Sequence, residues 1–67
     1  MIIAQKIKEL RLEKGFTQKM LAEKVGCSQP MIAMWEKGEY EPTASAIVKL
    51  SEALNCTTDY LLGKSDI

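Results

Sequence analysis

The sequence contains no histidine, which removes the commonest general base, the commonest metal ligand and every nucleophile-histidine pairing. Cysteine is nearly as scarce. Cys27 and Cys56 stand without a CxxC pair or a histidine to complete a four-ligand site, so a structural zinc within the chain is not expected and both thiols read as reduced. No enzyme activity, cofactor or small-molecule ligand is therefore anticipated. Long apolar runs are missing as well: none approaches the roughly 18 residues of a membrane span. The first residues lack the charged, apolar, small-residue order of a signal peptide, and we expect a cytoplasmic protein with no membrane partner. An excess of either charge is the last absence. Nine Lys plus Arg face nine Asp plus Glu, and taken alone that balance argues against a polyanion-binding surface.

What is present suits one small all-α domain. At 67 residues with 46% hydrophobic and 27% charged side chains, the chain has enough aliphatic surface to offset its ordering entropy. No segment alternates with a strict period of two, and Gly and Pro cut the chain into pieces of helical length. Ile3, Ile7 and Leu10 repeat at four and three within a first helix from Ile3 to Lys14, stopped by Gly15. Thr17 caps a second helix to about Val25, with Phe16 and Leu21 in hydrophobic-staple positions. Gly26 suits a left-handed stop, and Ser28 caps a third helix to about Glu36 or Lys37, with Cys27 and Ile32 as its staple. Gly38 ends that helix. Thr43 caps a fourth carrying Ile47, Leu50 and Leu54, closed by Asn55, and Thr57 caps a short fifth, with Cys56 and Leu61 as staple and Gly63 as stop. Both cysteines thus receive structural jobs as small apolar residues before a cap. Residues 1–63 form the expected domain and 64–67 a tail.

The stretch Gln18 to Lys37 has the plan of a helix-turn-helix: two helices of about eight residues joined across a glycine-containing turn. A sharp crossing over so short a turn needs a residue tolerant of positive φ, a small side chain at the closest approach, and apolar groups inside the angle. Gly26, Ala22 and the set Leu21, Val25, Cys27, Ile32 and Trp35 meet these conditions.

With these residues the chain resembles the Cro/cI-like, or XRE-type, helix-turn-helix domains of phage and bacterial repressors, over about residues 3–63. The matching pieces are Ile7, Leu10-Arg11 and Lys14-Gly15, then Thr17-Gln18, Leu21-Ala22 and Val25-Gly26, then Ser28, Ile32, Trp35-Glu36 and Gly38, and finally Asp59-Tyr60-Leu61-Leu62-Gly63. The resemblance implies a lambda-repressor-like fold that binds double-stranded DNA as a transcriptional regulator, a repressor, usually as a homodimer on a two-fold operator. Residues of about 28–37 would be the recognition helix in the major groove. Ser28, Gln29, Pro30, Ala33 and Met34 would then read base edges, Gln29 foremost because its amide both donates to and accepts from adenine. Gln18, Lys19 and Lys37 would hold the DNA backbone. Arg11 and Glu36 would pair to lock the third helix onto the first.

Three features depart from the pattern. Pro30 is compatible with the first turn of a helix, where its missing N–H loses nothing. Met31, Ala33 and Met34 bring apolar groups to or beside the reading face; Met31 reads as partial core, and Ala33 and Met34 as exposed. Glu39 and Glu41 occupy a loop where many relatives carry phosphate-holding cations, around a Tyr40 that reads as cover for the loop. These features keep an alternative open, a helix-turn-helix module that contacts protein, such as an antitoxin-like partner. The neutral total also hides an asymmetry: residues 1–38 hold seven basic and four acidic side chains, a formal +3, whereas residues 39–67 hold two basic and five acidic, a formal −3. The positive part contains the helix-turn-helix.

Overall fold

In a computed structural model of the protein, described for residues 2–65, five helices follow one another: α1 (Ile2–Glu13), α2 (Gln18–Val25), α3 (Gln29–Lys37), α4 (Ala44–Ala53) and α5 (Thr58–Leu61). Each of the last four begins in the same way. Thr17, Ser28, Thr43 and Thr57 have extended backbones, and their hydroxyls accept hydrogen bonds from the amides of Met20, Met31, Ala46 and Tyr60. Each cap satisfies an amide that has no partner inside its helix. The residues before three of these caps, Phe16, Cys27 and Cys56, are half-buried against the core, so each cap is also anchored from below.

Helix ends differ from the expected ones only by a residue: α1 runs from Ile2 to Glu13, starting and ending one position earlier than its apolar pattern indicated. The stop residues behave as backbone chemistry requires. Gly26 sits at φ 86° and Gly38 at φ 77°, left-handed conformations that a Cβ disfavours. A Cβ built on Gly26 would meet nothing within 4 Å, so the glycine is demanded by its φ and not by crowding.

Helix α3 packs on both α1 and α2, α4 closes over α2, and α5 bridges α4 and α1. The core between them is formed by Ile3, Ile7, Leu21, Ala22, Val25, Ile32, Trp35, Leu50, Leu54 and Leu61. Ile7, Leu21, Ile32, Leu50, Leu54 and Leu61 are fully buried, each contributing about 1.5–3 kcal/mol of transfer free energy. Ala22 is buried within the core, where a larger side chain would have to displace its neighbours. On α1 the buried stripe is Ile3, Ala4, Ile7 and Arg11 rather than a purely apolar one, and Leu10 is only half-buried.

Candidate nucleic-acid interface

The buried stripe of α1 ends in a cation, and its partners explain how that is tolerated. Arg11 Nε donates to Glu36 Oε2 at 2.6 Å and Nη2 to Glu36 Oε1 at 3.1 Å, a two-pronged match of guanidinium to carboxylate. Nη1 donates to the Phe16 carbonyl at 2.9 Å. The two side chains are 10% and 4% exposed, so this ion pair fastens α1 to the C-terminal end of α3 inside the protein. Gln18, the first residue of α2, completes the cluster by donating from Nε2 to Glu36 Oε1 at 3.2 Å. Because an ionised carboxylate only accepts, the amide nitrogen must face it, and this fixes which way the Gln18 side chain points. One carboxylate therefore joins the first three helices.

Helix α3 has two distinct sides. Met31, Ile32, Trp35 and Glu36 face inward, Ile32 and Trp35 being buried. At about 100° per residue, Gln29, Ala33, Lys37, Pro30 and Met34 fall on one continuous opposite side. Gln29, Pro30 and Lys37 are exposed, as is the capping residue Ser28. Ala33 and Met34 are half-buried, not exposed as their place in the sequence suggested. The reason is visible for Met34: with Met31, Trp35, Tyr40, Glu41 and Thr43 it lines an apolar groove of about 440 Å³, formed where the loop after Gly38 turns back along the helix. Tyr40 forms part of that wall while remaining 61% exposed. Met31, half-buried against the core, has the partial-core position its spacing indicated.

Lys19 is exposed next to Gln18, and Lys37 is exposed next to Glu36, so the Gln18–Glu36 hydrogen bond gathers the backbones of both lysines at one end of the α2–α3 unit. Gln29 lies at the other end of α3, about 10 Å away along the helix axis at 1.5 Å per residue. The remaining ring contacts lie elsewhere: Lys6 sits 4.2 Å from the Tyr60 ring and Lys24 4.8 Å from the Phe16 ring. Burial pushes the Cys27 and Cys56 thiols up from their ordinary range, with Lys49 and Lys14 pulling weakly the other way. Both thiols thus stay protonated at neutral pH and are poor nucleophiles. Among the described residues no group of three or more Cys, Asp or Glu is arranged to hold a metal, and no helix is long and apolar enough to cross a membrane.

Residues 7–61 match a protein family described as Helix-turn-helix. The chain belongs to that family. It is 36% identical over 67 residues to the HTH-type transcriptional regulator ImmR of Bacillus subtilis, a match covering 100% of this chain and 53% of ImmR. It is also 36% identical over 66 residues to repressor protein C2 of Salmonella phage P22, covering 98% of this chain and 30% of that repressor. Among solved structures, the P22 c2 repressor protein in complex with a synthetic operator superposes with a TM-score of 0.90 at 34% identity, over 97% of this chain and 98% of that one. The chain therefore spans about half or less of the length of these two relatives, a bacterial transcriptional regulator and a phage repressor.

Beyond the half-burial of Ala33 and Met34, sequence reading of this helix-turn-helix domain missed two features. The tie from Gln18 to Glu36 has no local signature, since it joins residues 18 positions apart. The burial of Arg11 did have one: Ile3, Ile7 and Arg11 stand at strict intervals of four, so the arginine lies on the apolar stripe.

Proposed function

We propose that this helix-turn-helix domain binds double-stranded DNA sequence-specifically as a transcriptional regulator, a repressor, with α3 in the major groove and a second copy of the chain on the other half of a two-fold site. The observation that carries the reading is the arrangement around α3. An exposed bidentate amide, Gln29, stands at one end, and a carboxylate-oriented Gln18, flanked by Lys19 and Lys37, stands about 10 Å away along the axis. That separation is of the order of the major-groove width, about 12 Å, so one end can meet base edges while the other meets the sugar-phosphate wall. The tie to Glu36 uses one of the two amide hydrogens of Gln18 and leaves the second for a phosphate oxygen. The start of α2 adds its positive dipole end at the same place.

In this reading Gln29 reads an adenine, with Ser28, Pro30, Ala33 and Met34 against neighbouring base edges, and Gln18, Lys19 and Lys37 position the domain on phosphates. Arg11 and Glu36 touch no DNA and hold α3 at its angle. The domain comprises residues 1–63, and its setting is the cytoplasm. The apolar groove beside Tyr40 favours the rival reading, a module whose ligand is a protein.

Selection of bound sequences from random duplex DNA at low and moderate salt decides between them. We expect one family of duplexes to be enriched and its binding to weaken steeply as salt rises, because phosphate contacts release counterions. Gln29→Ala should then cost about 1–3 kcal/mol at a single base pair, whereas Gln18→Ala should weaken all duplexes alike. Failure to enrich any duplex, or indifference to both substitutions, refutes the proposal.

A further inference from the structure

The groove between α3 and the loop after Gly38 has a chemistry of its own. Met31, Met34 and Trp35 line it from the helix, and Tyr40, Glu41 and Thr43 from the loop. Several contacts hold that loop in place. Gly38 turns the chain at φ 77°, the Glu39 amide donates back to the Met34 carbonyl at 3.0 Å, Pro42 is buried, and Thr43 caps α4. Pro42 also restricts Glu41 to extended backbone. The resulting space of about 440 Å³ has the size of a small-molecule site, about 300–1,000 Å³. Its lining then decides which molecule. Trp35 and Tyr40 bring two electron-rich rings to one place, and such rings attract cations. Met31 and Met34 are polarisable and adapt to irregular apolar shapes. The charge on the lining is the Glu41 carboxylate, which has no ion-pair partner among the described residues. Lys37, the nearest basic residue along the chain, does not line the groove, and residues 39–67 carry a formal −3. An anion is therefore repelled, and a metal ion finds one carboxylate where hard cations take about six or more oxygen ligands.

We propose that this groove binds a monovalent organic cation with an apolar body, of the alkyl- or arylammonium class. The charged head lies beside Tyr40 and Glu41, and the apolar body against Met31, Met34 and Trp35. The inference stands on the lining of the groove and holds whether or not α3 reads DNA. Burial supports this orientation. Tyr40 is 61% exposed and Glu41 is exposed, whereas Trp35 is only 7% exposed. A head at the open edge keeps part of its hydration, which lowers the cost of docking a charge, while the body leaves water at the closed side. A quaternary head suits the edge best, because it needs no hydrogen-bond acceptors and takes its attraction from ring faces and a nearby carboxylate.

Trp35 is the sole tryptophan of the chain and lines the groove, so its emission reports occupancy of this place. The intact chain is titrated with para-hydroxyphenyl-trimethylammonium and with para-tert-butylphenol, which has the same shape without the charge. Excitation at the red edge of indole absorption avoids both phenols. We expect a saturable change with the cation and about tenfold weaker binding of the neutral analogue. Glu41→Gln and Tyr40→Leu should each weaken the cation by about threefold and leave the neutral compound within about twofold. Glu41→Gln alters only an exposed charge, so it keeps the test valid even if Tyr40→Leu loosens the loop; circular dichroism verifies the fold of both. Amide NMR shifts should centre on Met31, Met34, Trp35 and residues 39–43. A neutral analogue that binds as tightly as the cation overturns the inference and leaves a plain apolar cleft. So does the absence of any saturable change up to about 10 mM cation. A preference for the cation unchanged in both variants, or shifts centred on another part of the molecule, overturns it as well by moving the charge to another site.

Discussion

The two sides of α3 depart from the usual pattern of a surface helix. The inner side carries Glu36, ion-paired to Arg11 within the protein, while the outer side carries Pro30, Ala33 and Met34 where polar residues would be the default for a surface helix. Burying a carboxylate is costly unless its partners are complete, and Glu36 has three donors from two residues. Presenting methionine and proline to water costs little locally, but it leaves a surface that gains free energy when an apolar group covers it. The inner side therefore commits the helix to one orientation, and the outer side leaves an apolar stretch open between Gln29 and Lys37. On the proposed function, stability and recognition would be divided between opposite sides of nine residues.

The largest expected effect comes from breaking the inner side. Glu36→Ala strands a buried guanidinium and releases the Gln18 amide, and we expect a loss of about 3–5 kcal/mol of stability, measured by urea or thermal unfolding. Arg11→Ala should be comparable. Replacing both partners with apolar residues of similar volume should recover much of the loss, because no unpaired charge is then left inside. A single substitution costing under about 1 kcal/mol, the level of an exposed pair, would show that the cluster is solvated in solution and that α3 is held by Ile32 and Trp35 alone.

A smaller effect belongs to the residue where the two sides meet. Ser28 caps α3, and its hydroxyl accepts from the Met31 amide at 3.4 Å, longer than the 3.0 Å seen for Thr17 and Met20. Ser28→Ala should therefore fall at the low end of the usual capping cost, about 0.5 kcal/mol, with Thr17→Ala nearer 1 kcal/mol. Thermal unfolding of the free protein isolates this term from any loss of DNA contact. Equal costs would mean that the longer bond tightens in solution.

How much of this was legible in the sequence follows from how local each feature is. Caps, staples and glycine stops act within five residues, so all five helices and their boundaries could be read to within a residue or so from Thr17, Ser28, Thr43, Thr57 and the glycines. The pairing of Arg11 with Glu36 spans 25 positions and was reached only through resemblance to repressor domains. The tie from Gln18 to Glu36 was not reached at all, because it depends on the angle at which α2 meets α3. The half-burial of Met34 escaped for a similar reason. Helical spacing places it outward, but the wall that covers it comes from Tyr40, Glu41 and Thr43, in a loop with no periodicity to read.

The smallest effects test whether the outer side is flanked as an anion-binding surface should be. Lys37 lies at the end of α3, and Glu39 lies two residues further on, both exposed and of opposite sign. If phosphates run past this end of the helix, neutralising the two must move salt dependence in opposite directions. Lys37→Ala removes a counterion-releasing contact and should lower the slope of log affinity against log salt by about one, with affinity falling on every duplex alike. Glu39→Gln removes a repulsion and should strengthen binding by about twofold at low salt, with the gain fading as the Debye length contracts to about 8 Å at physiological ionic strength. Neither change should move stability by more than about 0.5 kcal/mol, since both side chains are exposed and distant from the core. Opposite shifts would place the phosphate path along this edge. Shifts of the same sign, or none, would move it to the other end of the helix, and Lys37 would then be only a solvated end to an apolar reading face.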